Sequence, residues 1–140
     1  MESNPIPASL DWVRTRAECS IQHVFKELEL GVREDCEKAQ SLVPSQAQTK
    51  FSVTKVMGSR FAVVRVDDPI TSISQSVYFT CKRNEIQVHK EGSVGNELQM
   101  SATLTLTNSG ECKLKVGSEE LYQWQFRRMA LEDLFFSPAQ

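Results

Sequence analysis

The clearest pattern in the chain is an alternation of apolar and polar residues over positions 98–116. The apolar positions of its first half are Leu98, Met100, Ala102, Leu104 and Leu106, with glutamine, serine or threonine between them. This period of two predicts a strand with one buried face and one solvent-facing face. Residues 108–110 then offer a turn, and the alternation resumes at Cys112, Leu114 and Val116. We therefore predict a β-hairpin whose apolar face is covered by the rest of the chain.

Four shorter stretches before this hairpin carry similar strand signals, at residues 51–55, 60–66, 77–82 and 86–89. In the second stretch, residues 61–64 are all apolar, which indicates burial on both faces and a central place in the sheet. With the hairpin, these stretches make about six strands joined by short connections. The pattern predicts an antiparallel meander over residues 50–117.

Apolar residues at spacings of three and four predict a long amphipathic helix after Ser20. Its apolar stripe comprises Ile21, Phe25, Leu28, Val32, Cys36, Ala39 and Leu42. A short helix capped by Ser9 precedes it, so residues 9–43 are predicted to be helical and residues 1–8 to form a flexible arm. Gly31 interrupts the stripe at a cost of about 1 kcal/mol, which indicates a bend or the close approach of another backbone.

The C-terminal segment, residues 118–136, predicts a second helix. Ser118 can cap it, two glutamates follow in its first turn, and Pro138 stops it. Residues 121–126 also alternate in polarity, which fits a seventh strand instead. We favour the helix because residues 127–134 are rich in helix formers.

The order of helix, meander and helix predicts one α+β domain over residues 1–140, with helices packed on a single antiparallel sheet. A chain of 140 residues with 40% hydrophobic and 24% charged residues is of the right size and composition for one core. The formal net charge is −2, and residues 50–117 carry nine basic and six acidic side chains. An excess of this size is too small to neutralise many phosphates, so nucleic-acid binding is disfavoured.

No stretch approaches the roughly 20 apolar residues of a membrane span, and residues 1–8 do not resemble a secretory signal. We expect no membrane association and a cytoplasmic location.

The four cysteines, Cys19, Cys36, Cys81 and Cys112, lack the short spacings of zinc or redox sites. Cys81 and Cys112 occupy apolar positions of predicted strands, where a free thiol packs as a small hydrophobic group. We predict buried, reduced thiols. The alternative is a disulfide between Cys81 and Cys112, on condition that their strands are neighbours, because both side chains point to the same face.

The sequence offers no constellation of catalytic residues. Cys19 and His23 can share one helical face, but a zinc site needs further ligands and His89 belongs to a distant strand. Asp67 and Asp68, followed by proline, fit a turn better than a carboxylate pair. Neither a nucleophile-elbow serine nor a phosphate-binding glycine loop is present. We therefore expect no catalytic residue, no metal and no cofactor.

The polar face of the predicted sheet is a candidate surface for an anionic ligand or an RNA strand. Its residues are Tyr78, Lys82, Gln87, His89, Thr103, Thr105, Lys113 and Lys115. Nucleic-acid platforms usually carry several aromatic residues, and this face carries one. We favour the interpretation that these residues keep a one-sided sheet soluble.

The apolar face is a candidate lining for a pocket that takes a small apolar ligand. The candidate pocket residues are Phe79, Cys81, Met100, Leu104, Leu114 and Trp124. The same residues can equally form a filled core, which we favour. A carrier or an enzyme that uses such a cavity is the alternative to the function predicted next.

The chain ends on large apolar residues that a monomer has difficulty covering. Leu134, Phe135 and Phe136 lie within seven residues of the C-terminus and predict a lid over the sheet or a homodimer contact. The sequence therefore predicts a non-enzymatic protein-interaction or binding domain that self-associates or binds another protein.

Overall fold

The computed structural model describes residues 5–57, 59–68, 70, 73–92 and 95–138. Three helices and seven strands follow one another in the described chain, so the α+β class is confirmed. They are α1 (Trp12–Glu18), α2 (Ile21–Ser41), β1 (Lys50–Val56), β2 (Arg60–Asp68), β3 (Ile73–Cys81), β4 (Ile86–Gly92), β5 (Gly95–Leu106), β6 (Cys112–Val116), β7 (Glu119–Leu121) and α3 (Gln123–Phe136). Residues 1–4 of the predicted arm lie outside the described residues.

The seven strands form one sheet in sequence order, and each pairs antiparallel with the next. The predicted meander is confirmed, with one more strand than expected. The extra strand is β7, which follows a turn at Gly117, where φ is +61°. Because glycine adopts positive φ without strain, the chain can reverse there and pair Leu121 with Leu114.

The C-terminal helix consequently begins later than the sequence pattern indicated. Ser118 does not cap it; Tyr122 occupies the N-cap position, and its backbone N–H donates to Gln125 Oε1 at 2.8 Å. The alternative of a seventh strand over residues 121–126 was wrong, because residues 123–126 are helical and the strand that exists covers residues 119–121. Residues 118–122, which were predicted to begin the helix, instead form the end of the turn, β7 and the N-cap of α3.

The sheet has the predicted buried and solvent-facing sides. Leu104 pairs with Leu114 on the inner face, where both pack in or against the core, whereas Thr103 pairs with Lys115 on the outer face. The apolar run of β2 is buried on both faces at Ala62 and Val63. However, β2 is the second strand from the edge, so the expected central place was wrong.

A bulge in β5 breaks the alternation at its start. Val88 pairs with Met100, but His89 pairs with Leu98, so Gln99 is an extra residue between the two pairs. An extra residue moves the following side chain to the opposite face. Leu98 therefore lies on the outer face and is 53% exposed, contrary to the buried position predicted for it.

Four phenylalanine rings connect the helices to the sheet. Phe25 of α2 contacts Phe61 of β2 at 5.2 Å between ring centroids, Phe61 stacks on Phe79 of β3 at 4.8 Å, and Phe79 meets the edge of Phe126 of α3 at 6.5 Å. The predicted stripe of α2 is buried from Phe25 to Ala39, whereas Leu42 at its end is exposed.

Arg65 is a buried cation on the inner face, 4% exposed, that sequence analysis did not single out. Its Nη1 donates to the carbonyl oxygens of Leu134 and Ser137 at 2.7 and 2.8 Å. Its Nε donates to Asp67 Oδ1 at 3.0 Å, and the Thr49 hydroxyl donates to the same oxygen at 2.8 Å. Because the last carbonyls of a helix lack partners within the helix, Arg65 ties the end of α3 to the sheet.

Gly31 makes room for a side chain of α3. A Cβ atom at this position would lie 2.6 Å from Nη1 of Arg127, whose Nε donates to Asp35 Oδ2 at 2.7 Å. The close approach expected at Gly31 exists, but the approaching group is a guanidinium and not a backbone.

This geometry predicts that the effect of Gly31→Ala depends on Arg127. In an Arg127→Ala background the substitution should stabilise the protein by about 1 kcal/mol, because alanine favours the helix. With Arg127 present the gain should be smaller, because the guanidinium must move away from the new methyl group. Urea denaturation of the four proteins measures both values, and equal effects in the two backgrounds would contradict this interpretation of Gly31.

A candidate interaction groove between the two long helices

Helices α2 and α3 lie side by side over the inner face of the sheet and leave a groove of about 270 Å³ between them. Its floor is formed by Ala39, Leu131 and Phe135. Its edges carry three large apolar side chains that remain substantially exposed: Leu42 at 70%, Trp124 at 54% and Phe136 at 68%. The spacing of Trp124, Leu131 and Phe135 along α3 places them on one side of that helix, which faces α2.

Most charged groups around the groove are already paired. Arg127 binds Asp35 across the groove, and Arg128 binds Glu132 along α3. Lys38 also lines the groove, and Glu34 lies one helical turn before it on α2. Neither Lys38 nor Glu34 takes part in an ion pair among the described residues. Within that part of the chain, the rim therefore presents the unpaired cation of Lys38 beside an apolar floor, and the unpaired carboxylate of Glu34 lies one turn away on α2.

The structure separates the three terminal residues predicted as a partner or dimer surface. Leu134 is buried in the core, and the ring of Phe135 packs edge-on against Phe51 at 5.1 Å. Phe136 is exposed at the edge of the groove. Phe135 and Phe136 therefore both line the groove, whereas Leu134 belongs to the interior.

Five of the six residues predicted to line an apolar pocket lie in the core or pack against it, whereas Trp124 lies apart from them. Phe79 and Leu114 are buried in the core, and Cys81 and Leu104 pack partly buried against it. Met100 lines a cleft of about 130 Å³ beside α3, and Leu114 contributes to another of about 190 Å³ near α1. Trp124 lies at the edge of the groove. The sequence pattern placed Trp124 on the inner face because the helix was predicted to begin at Ser118. Since α3 begins at Gln123, the indole lies toward α2 instead.

On the outer face of the sheet, Tyr78 lies opposite His89, and the guanidinium of Arg60 sits over its ring at 4.3 Å. A hydrogen bond to the Glu91 carboxylate, followed by burial, raises the pKa of the Tyr78 hydroxyl. Lys82 lies beyond the end of β3. Because Arg60 covers one side of the Tyr78 ring, that side is closed to a stacking base.

A second cation of the outer face is also paired with a ring. The ammonium group of Lys113 lies 4.5 Å from the centroid of Tyr122, where α3 begins. Neither Arg60 nor Tyr122 was predicted for this face. Arg60 reaches it through the pairing of β2 with β3, and Tyr122 reaches it because it directly follows β7, which pairs with β6.

The cysteines depart from the prediction. Cys19 and Cys112 form a disulfide across 93 residues of sequence, whereas Cys36 and Cys81 are free. The alternative pairing of Cys81 with Cys112 is wrong, because β4 and β5 separate their strands. Burial raises the pKa of Cys36 from 9.0 to about 11, with a further contribution from the charge of Asp35.

The remaining candidate groups form local contacts. His23 Nε2 lies 2.8 Å from Glu27 Oε1 on the same face of α2. Asp67 accepts from Arg65, and Asp68 Oδ1 accepts from the backbone N–H of Ile70 at 2.9 Å, which is the turn-forming contact expected there. In the part of the chain that the structure describes, no group of three or more histidine, cysteine or acidic side chains could hold a metal ion.

None of the described helices combines the length and the apolar content that crossing a membrane would require. No protein-family model, no curated protein and no solved structure matches this chain.

Proposed function

We propose that this protein is a non-enzymatic interaction domain that forms a homodimer by packing the α2–α3 groove of one copy against the same groove of a second. The observation that carries the proposal is the exposure of Leu42, Trp124 and Phe136 along one groove. Contiguous apolar patches of this kind on a folded domain commonly mark an interaction surface.

The size of the apolar patch along the groove supports a second copy of the protein as the partner that packs there. A whole aromatic side chain offers about 150–250 Å², so the exposed parts of Leu42, Trp124 and Phe136 together present roughly 350 Å². A stable interface buries about 800 Å² on each partner, of which somewhat more than half is apolar. The three side chains therefore supply most of the apolar area that one side of a dimer interface needs.

The charges beside the groove support a symmetric arrangement. Glu34 and Lys38 have opposite charges and lie four residues apart, so they share one side of α2. In a two-fold dimer the same surface meets itself in the reverse direction. An axis that crosses α2 between these residues brings Glu34 of each copy to Lys38 of the other, which gives two ion pairs.

We also propose a cytoplasmic location, which is supported by the two free thiols, because a reducing compartment keeps such groups reduced. A Cys19–Cys112 disulfide that stays fully oxidised in intact cells would contradict this location.

The dimer predicts that Trp124→Asp or Phe136→Asp weakens self-association by roughly 30-fold or more. Placing a carboxylate in an apolar contact removes a favourable interaction of about 2 kcal/mol and adds a desolvation cost. Sedimentation equilibrium over a range of protein concentrations measures the dissociation constant of each variant.

Leu98→Asp is the matched control. Leu98 is exposed to almost the same extent as Trp124 but lies on the opposite face of the sheet. Its replacement should leave the dissociation constant unchanged. A wild-type protein that remains monomeric at high concentration, or a loss of association in Leu98→Asp equal to that in Trp124→Asp, would refute the proposed groove interface.

A further inference from the structure

The N-terminal arm, residues 5–18, has few contacts with the rest of the molecule. Its helix α1 buries none of its side chains, and Trp12 and Val13 are largely exposed. Leu10 touches the hairpin turn between β5 and β6, where a Cβ added to Gly110 would meet Leu10 Cδ2 at 2.7 Å. The covalent link between Cys19 and Cys112 fixes the end of the arm to β6. The position of the arm therefore depends chiefly on one sulfur–sulfur bond.

This bond is accessible from a cleft. A space of about 190 Å³ is bounded by both cysteines, by Thr15 and Glu18 of the arm, and by His23 and Glu27 of α2. Cys19 is buried, whereas Cys112 is partly exposed. An attacking thiolate would therefore reach the sulfur of Cys112 more readily than that of Cys19.

We propose that the Cys19–Cys112 disulfide is a thiol-exchange site, at which a dithiol reductant opens the bond and releases the N-terminal arm from the sheet.

The exchange takes two balanced steps. A thiolate of the reductant attacks Sγ of Cys112, a new sulfur–sulfur bond forms, and the bond to Cys19 breaks with Cys19 leaving as a thiolate. The second thiol of the reductant, after losing its proton, then attacks the mixed disulfide and releases Cys112 as a thiolate. The reductant is oxidised to its disulfide, and Cys19 and Cys112 take up protons according to the pH.

The surroundings of Cys19 favour it as the leaving group. It lies one residue before the N-cap of the 21-residue helix α2, where the helix dipole stabilises negative charge. The guanidinium of Arg16 contacts its carbonyl oxygen at 3.1 Å, and His23 lines the cleft. Two carboxylates also face the cleft, but Glu18 is paired with Arg14 and Glu27 with His23.

The free thiols do not compete for the bond. Burial raises the pKa of both Cys36 and Cys81, so each is a neutral thiol near pH 7. Neither residue lines the cleft beside the disulfide. The Cys19–Cys112 disulfide therefore exchanges with the external reductant and not with Cys36 or Cys81.

The test is limited proteolysis of the full chain with trypsin, before and after treatment with dithiothreitol under native conditions. After reduction, cleavage at Arg14 and Arg16 should be roughly tenfold faster, because local release exposes the backbone of α1. Cleavage at Lys113 and Lys115 in β6 should stay slow. The variant Cys112→Ser should show fast arm cleavage without a reductant, and Cys81→Ser should behave as the oxidised wild type.

Three results would overturn the proposal. The first is a disulfide that dithiothreitol reduces only when the protein is unfolded. The second is arm cleavage that is equally slow in the reduced wild type and in Cys112→Ser. The third is a reduced protein in which β6 is cleaved as fast as the arm, which would make the bond a support of the whole fold. If Cys112→Ser fails to fold, the cleavage rates of the wild type before and after reduction still test the proposal.

Discussion

Replacing Arg65 with methionine should lower the free energy of unfolding by about 3 kcal/mol. The substitution keeps an unbranched apolar stem of similar length but removes all the donors of a buried cation. Asp67 would keep its bond from Thr49, whereas the carbonyl oxygens of Leu134 and Ser137 would lose the donor that ties α3 to the sheet. Leaving buried carbonyl groups without a donor, and the Asp67 carboxylate without its cation, is the main source of the expected loss.

Denaturation with guanidinium chloride measures this effect, and Arg33→Met is its control. Arg33 also binds a carboxylate, that of Glu29, but its side chain is 43% exposed. Exposed pairs of this kind contribute less than about 1 kcal/mol. If Arg65→Met and Arg33→Met have equal effects, Arg65 does not anchor the helix in the way that its contacts indicate.

Replacing Phe79 with alanine should cost about 4 kcal/mol, in the range observed when a large aromatic side chain is removed from a core. Phe79 is fully buried between Phe61, on which it stacks, and Phe126 of α3. Its loss would leave a cavity where the sheet meets the helices, and neither neighbouring ring can move to fill it without leaving its own contacts.

Thermal denaturation followed by circular dichroism measures the loss, with Phe136→Ala as control. Phe136 is the same residue type but lies at the edge of the groove and is mostly exposed. At a concentration where the protein is monomeric, its truncation should change stability by less than about 1 kcal/mol. A Phe79→Ala protein as stable as Phe136→Ala would mean that the core is not organised around these rings.

The periodicity of the sequence was sufficient to predict most of the architecture. The stripe from Phe25 to Ala39 predicted α2, and the alternation at Leu104 and Leu114 predicted which face of the hairpin is buried. These predictions succeed because burial on one side imposes a period of 3.6 on a helix and of two on a strand.

The failures share a different cause, which is the way that separate segments of the chain pair with one another. The bulge at Gln99 depends on how β5 pairs with β4, and it reverses the orientation of Leu98. The disulfide depends on where the turn after α1 crosses β6, which no local spacing of Cys19 and Cys112 reveals. The anchoring role of Arg65 likewise exists only because Ser137 lies 72 residues away in sequence and beside it in space.

The groove was predicted only in part, for the same reason. Phe136 was expected at a contact surface because it is apolar and close to the C-terminus. Trp124 was assigned to the interior, since its surroundings depend on where α3 begins and on how that helix lies against α2. A helix that begins at Ser118 would have given Trp124 a different set of neighbours.

The packing of two grooves around a two-fold axis is tested most directly by exchanging the charges beside them. Glu34→Lys and Lys38→Glu should each weaken self-association about tenfold, because each variant dimer contains two contacts between like charges. An equimolar mixture should recover association close to that of the wild type, since the two lysines of the first variant then meet the two glutamates of the second across the interface. Sedimentation equilibrium of the two variants and their mixture measures this. A mixture that associates no better than either variant alone would contradict the proposed dimer.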